Sequence, residues 1–378
     1  MRVDGRARER ASAEKAIHSA RRTIARQAAT PDPLLIYGAT GYSGRLIVDA
    51  ARGCGLRPIL AGRDAAKLAA LAEPAGLEWR AAPLGEPGLL DAALQGVRVV
   101  LHAAGPFSHT ARPMLEACLR AGVHYLDITG EIAVIEALAR RDAVARQRGV
   151  MVMPAVGFDV VPSDCLAAHV AGRLPGAERL TIGLTGFTFL TRGSAKTLVE
   201  AVDAGVVRRG GVITRLPLGS RERPFDYGDG PRPSLNCSWG DVATAYYTTG
   251  IPNIETYVEA TPLVQGTLAG SRYLGWVLRT APWQAMMRAA TDMLPEGPGD
   301  EERKTARMTI VAEAERGGRR VRARLVTPES YTFTGVTAAA IARRALAGDV
   351  EAGFQTPARV YGSDLVLGFA GVVREDLE

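Results

Sequence analysis

The sequence predicts an α/β fold in which a doubly wound parallel sheet is joined to a second domain of α+β type. Short apolar runs alternate with helical stretches through residues 33–155, which is typical of βαβ units. A turn with three regularly spaced glycines joins the first apolar run to the first helix. After about residue 160 longer β-like runs with few crossovers replace the alternation, which favours a different architecture for the second half.

The parallel sheet is expected to contain five strands separated by helices. The expected strands are 34–37, 58–61, 97–103, 124–128 and 150–154. The expected helices are 44–51, 64–71, 111–120 and 132–148. Because these strands are apolar on both faces, we expect helices to cover both sides of the sheet.

The second half is expected to be rich in strands. The run RLTIGLTGFTFLTRGS predicts a long strand, and CSWGDVATAYYTTGIPNIETYVEA predicts two strands joined by a turn at residues 250–252. Residues 208–233 are rich in Gly, Pro and charge and are expected to form exposed loops. A hairpin is expected to turn at Gly317 and Gly318.

Residues 263–293 are expected to form a pair of apolar helices. A buried core or homodimer interface is the plainest interpretation of this pair. A lid over an apolar substrate, a docking face for an acyl carrier protein and a peripheral membrane contact are the alternatives.

The composition is that of an ordinary globular chain of 378 residues, with 47% hydrophobic and 23% charged residues. It shows no membrane-spanning run and no signal-peptide core, so a cytoplasmic location is expected. The four cysteines are scattered and form no C-x-x-C, so we expect reduced thiols and no metal site.

The basic character of the chain is concentrated at its start. Residues 1–30 carry eight Lys and Arg against three acids, and so hold +5 of the formal net charge of +6. Because the remainder is almost neutral, nucleic acid is not an expected partner. The leader is expected to be a solvated tail or docked helix, with an Arg-rich targeting peptide as the alternative.

The glycine-rich turn has the pattern G-x-x-G-x-x-G at Gly38, Gly41 and Gly44, directly after a strand and opening a helix. In a Rossmann-type turn one such glycine makes the bend, one lets the backbone approach a pyrophosphate, and one lets helix and strand pack closely. No Walker lysine follows, which disfavours a P-loop. We therefore predict dinucleotide contacts from seven residues, Gly38, Ala39, Thr40, Gly41, Tyr42, Ser43 and Gly44.

The residues after the second strand indicate which dinucleotide binds. An NAD site usually offers an acid to the ribose 2′-hydroxyl here, whereas this sequence has Arg63, with Lys67 one turn further on. Arg63 could bond a 2′-phosphate in bidentate fashion and stack on adenine, and Lys67 adds positive charge. The sequence therefore predicts NADP(H), although a surface arginine at a helix start is the alternative.

A second small-residue turn follows the strand at 97–103, in the stretch HAAGPFSHT. We expect Ala104, Gly105 and Pro106 to lie along the ribose and nicotinamide of the cofactor, with Phe107 against one face of the ring. An ordinary tight turn is the alternative.

These motifs together resemble the saccharopine dehydrogenase superfamily, in its short bacterial branch that includes the trans-acting enoyl reductases. The matching stretches are GATGYSG, AGR at 61–63, AGPF at 104–107, AGVHYLDITGE at 121–131 and PAVGFDVVPSD at 154–164. The resemblance covers about residue 33 to the end. It implies an NADP-binding Rossmann domain, a second α/β domain, hydride transfer, and a C-terminal segment that folds back near the Rossmann domain.

We expect four parts. The leader at 1–30 lies outside the resemblance, and it is followed by the NADP-binding domain at 31–157, a substrate and dimerisation domain at 158–334, and a C-terminal segment at 335–378 that we expect to pack back near the NADP-binding domain. The expected function is NADPH-dependent reduction of a C=C bond in a small-molecule or carrier-bound acyl or polyketide intermediate. Reduction of a C=N bond in an amino-acid adduct, and non-catalytic NADP(H) sensing by an NmrA-like protein, are the alternatives. The almost uncharged stretch LTIGLTGFTFLT favours an acyl substrate.

The sequence contains no tyrosine–lysine pair of the short-chain reductase type and no H-E-x-x-H motif. The candidate catalytic residues are instead Asp127, Asp159 and Lys196. Asp127 and Glu131 follow a strand end that would face the substrate. Asp159 lies in a G-x-D stretch resembling the substrate side of saccharopine reductases. Helix capping is the alternative for each aspartate, and a solvated side chain is the alternative for Lys196.

Overall fold

The computed structural model describes residues 33–187, 205–262, 264–265 and 297–378. The leader at 1–30, Lys196 and the apolar stretch at 263–293, apart from residues 264 and 265, lie outside the described residues, so the expectations for them stay predictions. Within the described part the chain forms one parallel sheet and one mixed sheet, and the predicted fold class is confirmed.

The strands and helices follow one another along the chain. The strands are β1 (Leu34–Tyr37), β2 (Ile59–Gly62), β3 (Trp79–Ala81), β4 (Val99–His102), β5 (His124–Asp127), β6 (Met151–Met153), β7 (Arg179–Thr185), β8 (Val206–Arg209), β9 (Val212–Arg215), β10 (Glu222–Asp226), β11 (Pro231–Cys237), β12 (Asn253–Glu259), β13 (Arg307–Arg316), β14 (Arg319–Pro328), β15 (Gly353–Phe354) and β16 (Val373–Leu377). The described helices are α1 (Tyr42–Gly53), α2 (Ala65–Ala72), α3 (Pro87–Ala93), α4 (Phe107–Ala121), α5 (Ile132–Ala139), α6 (Asp142–Gln147), α7 (Val161–Arg173), α8 (Asp241–Thr249), α9 (Asp300–Thr305), α10 (Ser330–Leu346) and α11 (Pro357–Tyr361), with a 3₁₀ turn at Leu365–Gly368.

The parallel sheet has the strand order β15-β6-β5-β4-β1-β2-β3. The order reverses beside β1, which lies between β2 and β4, and a crevice for ligands forms at such a switch point. Tyr37 at the end of β1 pairs in register with Ala61 and His102, and His102 pairs with Asp127. The carboxyl ends of four neighbouring strands therefore meet along one edge.

Helices cover both faces of this sheet. Leu34 and Ile36 belong to one buried apolar cluster, whereas Leu35 and Tyr37 belong to another, as expected from strand alternation. On one face α10 packs against α1 so closely that a Cβ added at Gly335 would lie 3.1 Å from the carbonyl oxygen of Leu46. The second half of the chain thus supplies part of the cover over the first sheet.

The mixed sheet has the order β10-β11-β12-β7-β13-β14-β16, with β8 and β9 attached beside β12. β13 and β14 form the predicted hairpin, and the positive φ angles of Gly317 and Gly318 (51° and 80°) suit its tight turn. β15 pairs with β6 of the parallel sheet, whereas β16 pairs with β14 of the mixed sheet. Residues after 335 therefore contact both sheets, and the four-part domain division stays a prediction.

The strand expected in the first part of CSWGDVATAYYTTG is wrong, because residues 241–249 form the helix α8. Valine, threonine and tyrosine favour strands by propensity, but tertiary packing overrides this preference. Asp241 lies in the first turn of α8, Gly250 ends it in the left-handed conformation, and Val242 and Ala243 are fully buried.

The exposed loops expected at 208–233 are also wrong, because this stretch carries β9, β10 and parts of β8 and β11. Arg208 is only 2% exposed. Its guanidinium pairs with Glu136 of α5 and donates to the carbonyl oxygens of Val242 (2.9 Å) and Gly211 (2.7 Å). The protein tolerates this buried charge because each of the three guanidinium nitrogens has a hydrogen-bond acceptor.

Smaller differences concern the parallel sheet. The strand β3 and the helix α3 were not expected, because Trp79–Ala81 is short and only half-buried. The single helix expected at 132–148 is two helices, α5 and α6. None of the described helices is long and apolar enough to cross a membrane.

Candidate cofactor and substrate site

Gly38 brings the first strand's turn against the turn after β4. Its φ angle is +84°, which favours glycine, and an added Cβ would lie 2.8 Å from the backbone nitrogen of Ala104. Any larger residue at Gly38 would force these two turns apart. The predicted cofactor residues 38–44 and 104–107 are therefore neighbours.

Gly41 and Gly44 have different surroundings. A Cβ at Gly44 would lie 2.1 Å from the carbonyl oxygen of Gly38, so Gly44 allows helix and strand to pack. Gly41 is exposed, and a Cβ there would meet only the same oxygen, at 3.4 Å. The space in front of Gly41 is open toward solvent, as a pyrophosphate would require.

The amino end of α1 has no side-chain cap and no acidic residue in its first turn. The first-turn N–H groups of a helix have no intrahelical acceptor, and the helix dipole makes this end attractive to anions. The turn therefore fits the phosphates of a dinucleotide.

The remaining predicted residues of the turn support its shape. Ala39 is buried, Ser43 is half-buried, and the carbonyl oxygen of Thr40 accepts a bond from Arg45 Nη1 at 2.9 Å. The Tyr42 hydroxyl donates to the carbonyl oxygen of Pro298 at 2.6 Å. This contact with a distant segment had no signal in the sequence.

Arg63 is exposed at the end of β2 and forms no hydrogen bond or ion pair with the residues that the structure describes. The acid beside it, Asp64, caps α2 by accepting the Lys67 backbone N–H at 3.1 Å. The Lys67 ammonium lies 3.9 Å from the Asp64 carboxylate, and the Lys67 side chain is largely exposed, whereas the Asp64 side chain is partly exposed. The Asp64 carboxylate is thus engaged by its own helix, whereas the Arg63 guanidinium is exposed, and its role as the ribose-phosphate contact stays a prediction.

Glu131, in the loop after β5, fixes the end of the turn at residues 104–107. The Glu131 carboxylate accepts the backbone N–H groups of Phe107 (2.7 Å) and Ser108 (2.8 Å), and so caps α4. Phe107 is buried, and its ring packs edge-on against His102 with centroids 5.3 Å apart. Glu131, a candidate substrate contact from the sequence, is therefore engaged as a helix cap.

Asp127 is fully buried and all of its bonds are internal. Its carboxylate accepts the Thr129 and Ala155 N–H groups (2.9 Å each) and the Tyr125 hydroxyl (2.7 Å). Burial raises its pKa to about 6. These contacts tie the end of β5 to Ala155, which has a positive φ of 59°, and they describe a structural brace.

Asp159 has a different environment. It keeps some exposure, and its side chain forms no hydrogen bond with the residues that the structure describes. It lies against Gly130, where an added Cβ would be 2.8 Å from Asp159 Oδ2. Burial raises its pKa to about 6. A carboxyl group that is partly accessible and unpaired is suited to proton transfer.

The loop that carries Asp159 is fixed by α10, since the Phe158 N–H donates to Thr334 Oγ1 at 3.0 Å. Asp164, in the first turn of α7, accepts the Thr248 hydroxyl and the Ala358 N–H (2.9 Å). It therefore caps α11. Asp159 alone among these aspartates keeps an unpaired carboxyl facing partly outward.

Trp239 was not singled out from the sequence, yet it lies beside this loop. A Cβ added at the next residue, Gly240, would lie 3.6 Å from the carbonyl oxygen of Asp159 and 3.7 Å from the Cα of Gly130. The Trp239 ring packs against Phe187 with centroids 5.3 Å apart, and Phe187 packs against Phe158 at 6.3 Å. The signal that could have revealed it was the isolated Trp-Gly-Asp stretch.

Comparisons with known proteins agree with this geometry. Residues 34–153 match the family model described as saccharopine dehydrogenase NADP binding domain. Over 148 residues the chain is 32% identical to a trans-acting enoyl reductase of Mycobacterium ulcerans, covering 37% of this chain and 35% of that protein. Over 158 residues it is 33% identical to a putative trans-acting enoyl reductase of Mycobacterium tuberculosis, covering 39% and 38%. The match thus spans little more than a third of these relatives' length.

Two solved structures share the fold over most of the chain. Saccharopine dehydrogenase (L-Glu forming) from Saccharomyces cerevisiae has a TM-score of 0.61 at 12% identity, covering 91% of this chain and 99% of that one. Homospermidine synthase from Legionella pneumophila, in complex with NAD, has a TM-score of 0.61 at 9% identity, covering 90% of each chain. Residues 34–153 are therefore similar to the saccharopine dehydrogenase NADP binding domain, and the described chain shares the two-sheet fold of saccharopine dehydrogenase.

Proposed function

We propose that the protein is an NADPH-dependent oxidoreductase that reduces the C=C bond of an α,β-unsaturated acyl thioester. The observation that carries this proposal is the unpaired, partly exposed carboxyl of Asp159 at the carboxyl edge of an NADP-binding sheet. The similarity to trans-acting enoyl reductases supports the acyl substrate, free or carried on an acyl carrier protein.

A row of contacts links the cofactor turn to Asp159. Gly38 lies against Ala104, Glu131 bonds Phe107 at the end of the same small-residue turn, and Gly130 lies against Asp159. Neighbouring strands are about 4.8 Å apart, so the end of β6 is about 14 Å from the end of β1. This span suits a dinucleotide with its pyrophosphate at β1 and its reacting ring near β5 and β6.

The residues at the β1 end of this row of contacts would bind the cofactor. The uncapped N–H groups of α1 would bind the pyrophosphate, and Arg63 would bind the 2′-phosphate of NADP. When bound, NADPH supplies a hydride to the β-carbon of the substrate. The chain itself must then place the substrate and provide a proton at the α-carbon.

Asp159 is the proposed proton donor. Its pKa of about 6 keeps a fraction of Asp159 protonated near neutral pH. After it donates the proton, its carboxylate forms no hydrogen bond with the described residues and can be protonated again. One hydride and one proton together saturate the double bond, and bulk water returns the proton to Asp159. The rate of a step that uses the protonated acid should fall as the pH rises through about 6.

The surroundings of Asp159 support an uncharged substrate. Phe158, the residue before it, packs against Phe187, which packs against Trp239, and the buried carboxyl of Asp241 is close enough to interact electrostatically with Asp159. A substrate with several carboxylates, such as an amino-acid adduct, would need converging cations to offset its desolvation. The described residues around Asp159 offer aromatic rings and acids, so an acyl chain fits better than a polycarboxylate.

The proposal is tested with NADPH deuterated at C4 and trans-2-octenoyl-N-acetylcysteamine thioester. We expect deuterium at the β-carbon of the saturated product from one C4 epimer of the cofactor. Asp159→Asn should lower turnover by about 10²- to 10⁴-fold without weakening NADPH binding. Asp49→Asn, an exposed carboxyl on α1, is the matched control and should have no effect. Transfer to a cyclic imine but not to the enoyl thioester would refute the C=C assignment.

A further inference from the structure

Tyr42 joins the glycine-rich turn to a distant part of the chain. It is the first helical residue of α1 and directly follows Gly41. Its hydroxyl donates to the carbonyl oxygen of Pro298 at 2.6 Å, and Pro298 lies 256 residues further along the chain. Because Pro298 precedes α9, this bond ties the first βα unit to the second half of the chain at the cofactor turn.

Three further residues pack on the Tyr42 ring. Gly297 lies against it with no room for a side chain, since an added Cβ would lie 2.6 Å from Tyr42 Cε1. Tyr331, in the first turn of α10, packs edge-on with ring centroids 5.5 Å apart. The guanidinium carbon of Arg303 lies 5.9 Å from the ring centroid. The side chain of Tyr42 is therefore enclosed by segments from the second half of the chain.

These segments lead to the rest of the proposed site. Residues 297–305 run directly into β13, an interior strand of the mixed sheet. The helix α10 holds the loop of Asp159, because Thr334 Oγ1 accepts the Phe158 N–H at 3.0 Å. Tyr42 thus lies where the cofactor turn, the mixed sheet and the loop of the proposed proton donor come together.

The backbone of Tyr42 belongs to the helix end that would bind the cofactor. The first-turn N–H groups of α1 have no intrahelical acceptor, and a pyrophosphate would accept hydrogen bonds from them. Its binding would restrict a turn to which three glycines give backbone freedom, and so would restrict Tyr42 and the segment bonded to it. Such coupling is reciprocal, so the segment should also order the turn and favour cofactor binding.

We propose that Tyr42 is a positioning residue that couples NADPH binding at the glycine-rich turn to residues 297–303 of the second half. The contact with Gly297 and Pro298 holds the turn in its binding conformation, and bound NADPH holds this segment in front of β13. The inference rests on the cofactor site of the proposed function and adds to it a residue whose side chain acts through the turn.

The test alters the contact from both of its sides. Tyr42→Phe removes the hydroxyl, and Gly297→Ala places a Cβ against the ring. Each variant should weaken NADPH binding by about threefold to tenfold in a fluorescence titration, as expected for the loss of one hydrogen bond.

Each variant has a matched control. Gly299→Ala should bind NADPH normally, because its φ and ψ angles of −71° and 169° suit alanine and an added Cβ would have no neighbour closer than 3.9 Å. Tyr361→Phe loses a comparable bond, from its hydroxyl to the carbonyl oxygen of Asp349 at 3.1 Å, away from the cofactor turn. It should also retain NADPH affinity.

Two further measurements separate coupling from a general loss of stability. The double variant Tyr42→Phe/Gly297→Ala should bind NADPH no more weakly than the weaker single variant, because both changes remove the same contact. In hydrogen exchange of the full chain, saturating NADP⁺ should slow the amides of residues 297–305 by about threefold to tenfold in the unchanged protein but not in Tyr42→Phe.

Unchanged NADPH affinity in Tyr42→Phe and Gly297→Ala would overturn the inference and leave the cofactor site intact. Additive losses in the double variant, or equal protection of residues 297–305 in Tyr42→Phe and the unchanged protein, would also overturn it. Failure of the unchanged protein to bind NADPH would refute the cofactor site and the inference together. Binding that depends on Gly297 without deuterium transfer to the thioester would support the inference while refuting the proposed reaction.

Discussion

Gly41→Ala separates the binding role of the glycine-rich turn from its structural role. The φ and ψ angles of Gly41 are −76° and 167°, which alanine adopts without strain. The added Cβ would lie 3.4 Å from the Gly38 carbonyl oxygen and would otherwise point into open space. We therefore expect the variant to fold with little change in stability.

The same Cβ would occupy space that the pyrophosphate needs. Losing one hydrogen bond to a charged phosphate costs about 1.5–3 kcal/mol, so the dissociation constant for NADPH should rise by about 10- to 150-fold. NADPH fluorescence titration measures the affinity, and thermal unfolding followed by circular dichroism measures the stability.

Two other glycines of the same turn and helix provide the controls. Gly53→Ala lies at the far end of α1, where a Cβ would contact nothing within 4 Å, so both affinity and stability should be retained. Gly44→Ala would place its Cβ 2.1 Å from the Gly38 carbonyl oxygen, so it should lower the melting temperature. A folded Gly41→Ala protein that binds NADPH as tightly as the unchanged protein would show that the turn is only a strand-to-helix corner.

The remaining predictions concern buried charges. Asp127→Asn should retain turnover, because an amide can accept both backbone N–H groups and donate to the Tyr125 hydroxyl. A loss of turnover comparable to that of Asp159→Asn would contradict the structural role of Asp127. Burial raises the pKa of Asp127 in the folded protein to about 6 from 3.8. Its contribution to the free energy of unfolding is therefore full below about pH 4 and is lost as the pH rises through 6. The free energy of unfolding of Asp127→Asn, measured with urea, should depend less on pH between these values than that of the unchanged protein. Glu136→Gln should cost about 3–5 kcal/mol of unfolding free energy, since it leaves the buried guanidinium of Arg208 without its carboxylate, and a cost below about 1 kcal/mol would refute that reasoning.

The parts of the site predicted from sequence are those made by local chain geometry. The glycine-rich turn, the strand before it and Arg63 after β2 depend on residues within one βα unit, so their pattern is visible along the chain. The hairpin at Gly317 and Gly318 is predictable for the same reason.

The parts that escaped prediction are made by distant contacts. Glu131 bonds an N–H group 24 residues away, and Tyr42 bonds a carbonyl group 256 residues away, so neither contact leaves a periodic signal. The helix α8 was mistaken for a strand because its burial, not its residue preferences, decides its conformation. Trp239 could not be placed beside Asp159 until the Gly240 turn was known to lie against that loop.

The most direct test of the account is a comparison of NADPH and NADH affinities for the unchanged protein and for Arg63→Ala. The account predicts that the unchanged protein binds NADPH more tightly, that Arg63→Ala loses about 1.5–3 kcal/mol of NADPH affinity while NADH affinity changes little, and that Arg343→Ala, an exposed arginine on α10, changes neither. Equal affinities of the unchanged protein for the two cofactors would contradict the NADP site on which the rest depends.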